Sequence, residues 1–220
     1  MRADFHTHTV LSDGLLLPAA LACEAAFRGN QVIAITDHVD FSNLEETLAS
    51  ITKFIKEQGP SLPIKVLPGV EISYLDPALI KKAALKARKL GAKIIIVHGE
   101  SVAEPAVPKG TNHAALQLKG LVDILAHPGK ISEEDTLLAK INGIYLELSA
   151  RASHKKGNKH VAKMARQFGA KLLVNTDAHC EFDLINFDQA LEVAKAAGLT
   201  QAEALLAVEK NPLELLKHCK

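Results

Sequence analysis

The 220-residue chain contains no tryptophan, and aromatic residues make up only 4% of it. Side chains that stack on unpaired bases are therefore scarce, which argues against a platform for single-stranded nucleic acid. Cysteine is equally sparse. Cys23, Cys180 and Cys219 form no regular framework, and their odd number suits a reducing compartment. No eighteen apolar residues run together, and the opening Met1-Arg2-Ala3-Asp4 has no apolar leader, so neither a membrane span nor a secretory signal is expected. Charge of one sign is also missing. The 26 lysines and arginines offset 25 acids, and no long basic run provides the footprint of a duplex-binding protein. These absences point to a cytoplasmic protein with neither a membrane nor a long nucleic acid as its partner.

What remains is a well-stocked core, with 48% hydrophobic residues, and a regular alternation of two kinds of segment. Apolar runs at residues 3–5, 31–36, 64–67, 94–97, 122–126, 144–148 and 171–175 read as strands. Continuous apolar runs of this kind belong to strands covered on both faces, as in parallel sheets. Helical spacing follows most of them, from Pro18 to Gly29, from Leu44 to Gly59, from Pro77 to Leu90, and near 112–119, 132–141 and 161–168. Further helices over 187–197, 201–208 and 212–217 finish the chain. Seven β-then-α units without a linker predict one α/β domain over residues 1–220, either an open doubly wound sheet or a closed barrel. The first strand is not followed by a glycine-rich fingerprint, which counts against a dinucleotide-binding sheet.

The strand ends decide between these. His6 and His8 stand at i and i+2 on an extended segment, where side chains of that spacing point the same way. Asp13 lies in the loop beyond them. His38, Glu71, His98 and His127 end the next four strands, and Asp177 and His179 end the seventh. A parallel barrel brings such ends together on one face, whereas an open sheet would spread them along a line. Imidazole and carboxylate together suit zinc, manganese or iron. So many ligands exceed what one tetrahedral ion can use, which implies two or three divalent ions with a bridging carboxylate. Clusters of this type activate water for displacement at phosphorus. The sixth strand ends instead in Ser149-Ala150-Arg151, where Arg151 has the fork that binds phosphate and His154 lies nearby; a solvated basic loop is the alternative. Asp37 reads as a partner orienting an imidazole.

The succession His6-Thr7-His8, Ser12-Asp13-Gly14, Thr36-Asp37-His38, Pro68-Gly69-Val70-Glu71, His98-Gly99, Ala126-His127-Pro128 and Asn175-Thr176-Asp177-Ala178-His179 resembles the motifs of the PHP (polymerase and histidinol phosphatase) superfamily, in order and over nearly the whole chain. The resemblance implies a distorted, TIM-like (β/α)7 barrel with extra C-terminal helices. It also implies a trinuclear site: His6, His8, Glu71 and Asp177 for one ion, Glu71, His98 and His127 for a second, and Asp13, His38 and His179 for a third. Asp13 departs from relatives that have histidine at its position. A metal-bound hydroxide held by Glu71 and Asp177 would attack phosphorus. The expected activity is a histidinol-phosphatase-like phosphomonoesterase acting on a small phosphorylated metabolite. The alternatives are a phosphodiesterase or exonuclease on nucleotides or short oligonucleotides, and a non-catalytic metal-binding regulatory domain.

Overall fold

In the computed structural model, which describes residues 1–219, every apolar run becomes a parallel strand. These are β1 (Ala3–Asp4), β2 (Val32–Ile35), β3 (His38–Val39), β4 (Lys65–Ile72), β5 (Ile94–His98), β6 (Ile124–Ala126), β7 (Tyr145–Ser149) and β8 (Leu172–Asn175). The order around the sheet is β1-β2-β4-β5-β6-β7-β8, with β3 also on β4. Strands β2 and β3 occupy one position. Val32 pairs with Lys65 and His38 with Glu71, so the register is unchanged across the interruption at Thr36 and Asp37. There Pro68 has no N–H to donate, and Thr36 turns to the first strand instead: its N–H donates to the Thr7 carbonyl at 2.9 Å.

The ring closes between its first and last members. Thr7 and Ala178 form a parallel bridge, the His8 N–H donates to the Ala178 carbonyl at 2.8 Å, and the Asp177 N–H donates to the His6 carbonyl at 2.9 Å. Lower on this seam, side chains replace the ladder. Phe5 N–H donates to Asn175 Oδ1, Thr176 donates from both N–H and hydroxyl to Asp4, and the buried Arg2 donates to the Val174 carbonyl. Arg2 and Asp4 also pair at 3.1 Å with no exposure, an ion pair sustained in the interior by these added hydrogen bonds. The seam thus contains polar residues that read as an ordinary strand start in the sequence.

Helices cover the outside: α1 (Pro18–Phe27), α2 (Leu44–Gln58), α3 (Pro77–Lys89), α4 (Thr111–Leu116), α5 (Glu133–Asn142), α6 (Lys155–Phe168), α7 (Phe187–Ala196), α8 (Gln201–Leu205) and α9 (Asn211–His218). Proline opens α1, and Ser132 caps α5 by accepting from the Asp135 N–H. Helix α6 begins at Lys155, earlier than the apolar spacing from Val161 suggests, because its first turns carry lysines and Gly157 rather than core residues. Among the described residues, no helix is long and apolar enough to cross a membrane.

Alternation along the strands sorts the side chains. Ile95, Val97, Leu125, Leu146, Leu148 and Val174 face outward into the helix layer. Phe5, Ala34, Leu67, Ile94, Ile96, Ile124 and Leu173 face inward and fill the lower lumen, which Leu215 and Cys219 of the α9 region plug from below. Each large apolar side chain buried there contributes about 1.5–3 kcal/mol. The same inward rows continue upward as Glu71, His98 and Glu147.

Candidate metal centre

Phe5 and His6 are neighbours in sequence, yet both lie inside the barrel. The period-two alternation slips by one residue between them, and the Asp4 carboxylate accepts the His6 N–H at that point. Beyond the slip, His6 and His8 point the same way, with ring centroids 5.0 Å apart. His6 Nε2 lies 3.1 Å from Glu71 Oε2 and 3.7 Å from Asp177 Oδ1, and His8 Nε2 lies 3.5 Å and 3.3 Å from the same two atoms. Two ligand atoms on one tetrahedral ion, each at about 2.0–2.1 Å, stand about 3.3 Å apart. His6, His8 and Asp177 form one group whose ligand atoms all lie within 4.8 Å of one another, and Glu71 stands against both imidazoles.

At the mouth, Asp13 Oδ2 lies 3.2 Å from His179 Nε2 and 3.8 Å from His38 Nε2, and these three form a compact group with His8. Gly14 permits this closeness, since a Cβ there would stand 2.5 Å from the His8 carbonyl oxygen. His127 joins His6 and Glu71 in a further group. His98 belongs to none of these groups. Its Nε2 faces Glu104, 2.9 Å away, while its ring packs edge-on against His127. All nine ligand-type residues named from the sequence thus line one cup.

Buried polar atoms in the cup lack hydrogen bonds. His6 Nε2, both nitrogens of His8, both oxygens of Glu71, and Nδ1 of His98 and His127 have no partner in hydrogen-bond alignment. At about 1–3 kcal/mol each, these seven atoms would cost as much as the whole stability of a typical domain, about 5–15 kcal/mol. A cation among them would remove that cost, and the donor set of imidazoles and carboxylates suits a divalent transition metal. Burial, then the charges of His38 and His6, hold His8 well below the usual imidazole range, and burial and His98 do the same to His127. Neutral imidazole is the ligating form. Burial opposes charge on His38 too, but Glu71 outweighs it and lifts the group to about 9. The backbone is strained at the same place. Tyr74, His127 and Asp177 are the non-glycine residues with positive φ among those described, at 56°, 28° and 55°, each costing about 1–3 kcal/mol.

Two carboxylates in the cup escaped the sequence reading. Glu147, inward on β7, takes His6 Nδ1–H at 2.8 Å and leaves His6 Nε2 aimed at Glu71, the role of a residue that orients a ligand. A fully buried glutamate inside an apolar strand is the signal that could have found it. Glu104 reaches in from the loop after β5 and had no such signal. Arg151 and His154 both reach the cup. Arg151 Nη1 donates to the Asp177 carbonyl and to His179, and Nη2 has no protein partner among the described residues. His154 is buried, with its Nε2 3.7 Å from Asp177 Oδ2. Asp37 orients no imidazole. It accepts from the Thr9 N–H, the Thr9 hydroxyl and the Ser12 hydroxyl, and so fixes the loop that carries Asp13. Outside the cup, His113 pairs with Asp135, and His160 donates to the Ile131 carbonyl.

The PHP domain family matches residues 4–206. The chain belongs to the PHP family. An uncharacterised protein of Methanocaldococcus jannaschii is 45% identical over 219 residues, covering 99% of both chains. A probable phosphatase of a Thermoanaerobacter species is 31% identical, over 90% of this chain and 87% of the relative. Ribonuclease P protein component 3 of Methanosarcina mazei is 28% identical, over 97% and 88%. Among solved structures, a chain in the cryo-EM structure of archaeal ribonuclease P with mature tRNA superimposes with a TM-score of 0.68 at 18% identity, covering 98% of this chain and 89% of that one. That likeness supports the PHP barrel fold.

Proposed function

We propose that this PHP protein is a metal-dependent phosphoesterase, and specifically a phosphomonoesterase acting on a small phosphorylated metabolite. One observation carries the reading: seven buried imidazole nitrogens and carboxylate oxygens, on His6, His8, Glu71, His98 and His127 from separate strand ends, share a cup without hydrogen bonds. His6, His8, Glu71 and Asp177 would hold one ion, Glu71, His98 and His127 a second, and Asp13, His38 and His179 a third. When bound, the ions supply an activated water and neutralise charge developing at phosphorus. Zinc, manganese or iron would suit these donors.

The chain's own residues do the rest. Glu147 fixes the His6 ring, and Asp37 fixes the loop bearing Asp13. Arg151, held beside His179 through Nη1, would offer its Nη2 to a phosphate oxygen. His154, whose Nε2 lies 3.7 Å from Asp177 Oδ2, would add a second donor to the substrate. The likeness to a probable phosphatase over most of both chains supports this reading. Residues 1–220 would act as one barrel domain.

A second reading is favoured by the relatives named as ribonuclease P component 3. In it the barrel serves as a protein subunit on RNA, and hydrolysis is absent. The full ligand set favours the enzyme. The test is hydrolysis of an aryl phosphate by the purified chain with manganese or zinc, followed by a screen of phosphorylated metabolites. Turnover abolished by a strong chelator and restored by metal is expected. No turnover with any metal, together with tight binding of structured RNA, would establish the second reading instead.

A further inference from the structure

We propose that Glu147 is a positioning residue for two ion positions at once: one carboxylate oxygen sets the ring of His6, and the other pins the backbone of His127. The inference rests on the metal-dependent reading above and extends it to a side chain outside the ligand set.

Glu147 points into the lumen from β7, between the outward Leu146 and Leu148, and is fully buried. A carboxylate in such a place needs donors on both oxygens. Three are there. Oε1 accepts from His6 Nδ1–H at 2.8 Å and from Asn175 Nδ2 at 2.9 Å, while Oε2 accepts from the His127 N–H at 3.1 Å. Among the described residues no lysine or arginine pairs with Glu147, and its one ion-pair partner is His6. A glutamate that served only to hold strands together would not need to spend both oxygens on ligand-type histidines.

The two oxygens act by different routes. A proton kept on His6 Nδ1 leaves the lone pair on Nε2, which has no hydrogen bond and stands 3.1 Å from Glu71. Asn175 holds this arm still, because its Oδ1 accepts the Phe5 N–H at 3.1 Å, where the alternation of the first strand slips. The other arm works on the main chain. His127 has a φ of 28°, a conformation that persists only where its surroundings impose it. Its N–H is tied to Glu147, and the carbonyl of the next residue, Pro128, accepts from the buried Asn112 Nδ2 at 3.2 Å. Held on both sides, His127 brings its ring into one group with His6 and Glu71. A single buried carboxylate thus orders one ligand through its ring proton and a second through its backbone.

The test uses the full chain, stripped with chelator and titrated with zinc, with bound metal counted by mass spectrometry and affinities read by competition with a chromogenic chelator. Glu147→Gln separates the arms: its amide oxygen still accepts from His6 and Asn175, but its NH2 meets the His127 N–H donor to donor. It should hold the ion that His127→Ala loses about 10–100-fold more weakly, and keep the ion that His6→Ala loses within about threefold. Glu147→Leu removes both arms and should weaken both ions about 10–100-fold. Nitrogen-15 NMR of the metal-free chain gives a readout that loosened packing alone would not move. The His6 ring should carry its proton on Nδ1 in wild type and Glu147→Gln, and on either nitrogen in Glu147→Leu. Wild-type affinities in Glu147→Gln, or equal weakening of both ions in it, would overturn the proposal while the metal-dependent reading stands. A wild-type chain that takes up no metal would overturn both. Should Glu147→Leu fail to fold, the split between the two ions in Glu147→Gln still decides.

Discussion

The two ends of the barrel lumen are built from the same strands and obey opposite rules. In the lower half, inward residues such as Ala34, Ile94, Ile96 and Leu173 fill space and need nothing beyond contact. In the upper half, the same inward rows carry Glu71, His98 and Glu147, and buried polar atoms face one another unpaired. Positive φ at Tyr74, His127 and Asp177 is confined to that upper end. The difference shows where this fold stores its stability and where it spends some of it: the apolar end holds the strands in register so that the polar end can keep an arrangement unfavourable on its own.

Substitutions should separate the two ends. Glu71→Gln removes the carboxylate central to the cup. Hydrolysis of an aryl phosphate should fall by more than about a thousandfold, the scale of losing a group that stabilises transition-state charge, while the circular dichroism spectrum is unchanged. Leu173→Ala should do the reverse, costing about 2–5 kcal/mol in denaturant unfolding while leaving turnover per folded molecule within about twofold of wild type. Comparable losses of both properties in both variants would erase the distinction between the ends.

Smaller effects sharpen it. Gly14→Ala drives a Cβ into the His8 carbonyl and pushes the Asp13 loop outward. The ion held by Asp13, His38 and His179 should then bind about 10–100-fold more weakly, measured by competition with a chromogenic chelator. The smallest effect belongs far from the lumen. Arg166 and then the Thr200 N–H hold the partly exposed Glu203 carboxyl down, from 4.5 to about 2. A depressed carboxylate contributes stability above its ordinary value and loses it as pH falls toward the folded one. Thermal midpoints of wild type and Glu203→Gln should differ slightly at neutral pH and converge near pH 2, the gap kept small by solvent screening. A gap that widens on acidification would reverse the sign assigned to Glu203.

Much of the upper end is written in the chain itself. His6, His8, His38, Glu71, His98, His127, Asp177 and His179 are each tied to the end of an apolar run, so a local pattern places them, and the barrel order follows from parallel alternation. The residues that the pattern hides are those fixed by non-local contacts. Glu147 looks like one acid in a strand until the lumen gives it His6. Glu104 sits in a loop whose path has no period. Asp37 adjoins a histidine in sequence but spends its oxygens on Thr9 and Ser12. The slip between Phe5 and His6, and the side-chain stitching of Arg2, Asp4 and Asn175, arise only when the first and last strands meet. Local spacing reports which side chains a strand end presents; closure decides which of them share a partner.

The most direct test is a crystal structure of the chain grown with manganese or zinc, with the ions located by anomalous scattering. Two or more anomalous peaks should lie in the cup, with Glu71 touching more than one of them and His6, His8 and Asp177 around another. A cup without anomalous density under those conditions, its imidazoles and carboxylates hydrogen-bonded to one another instead, would contradict the account.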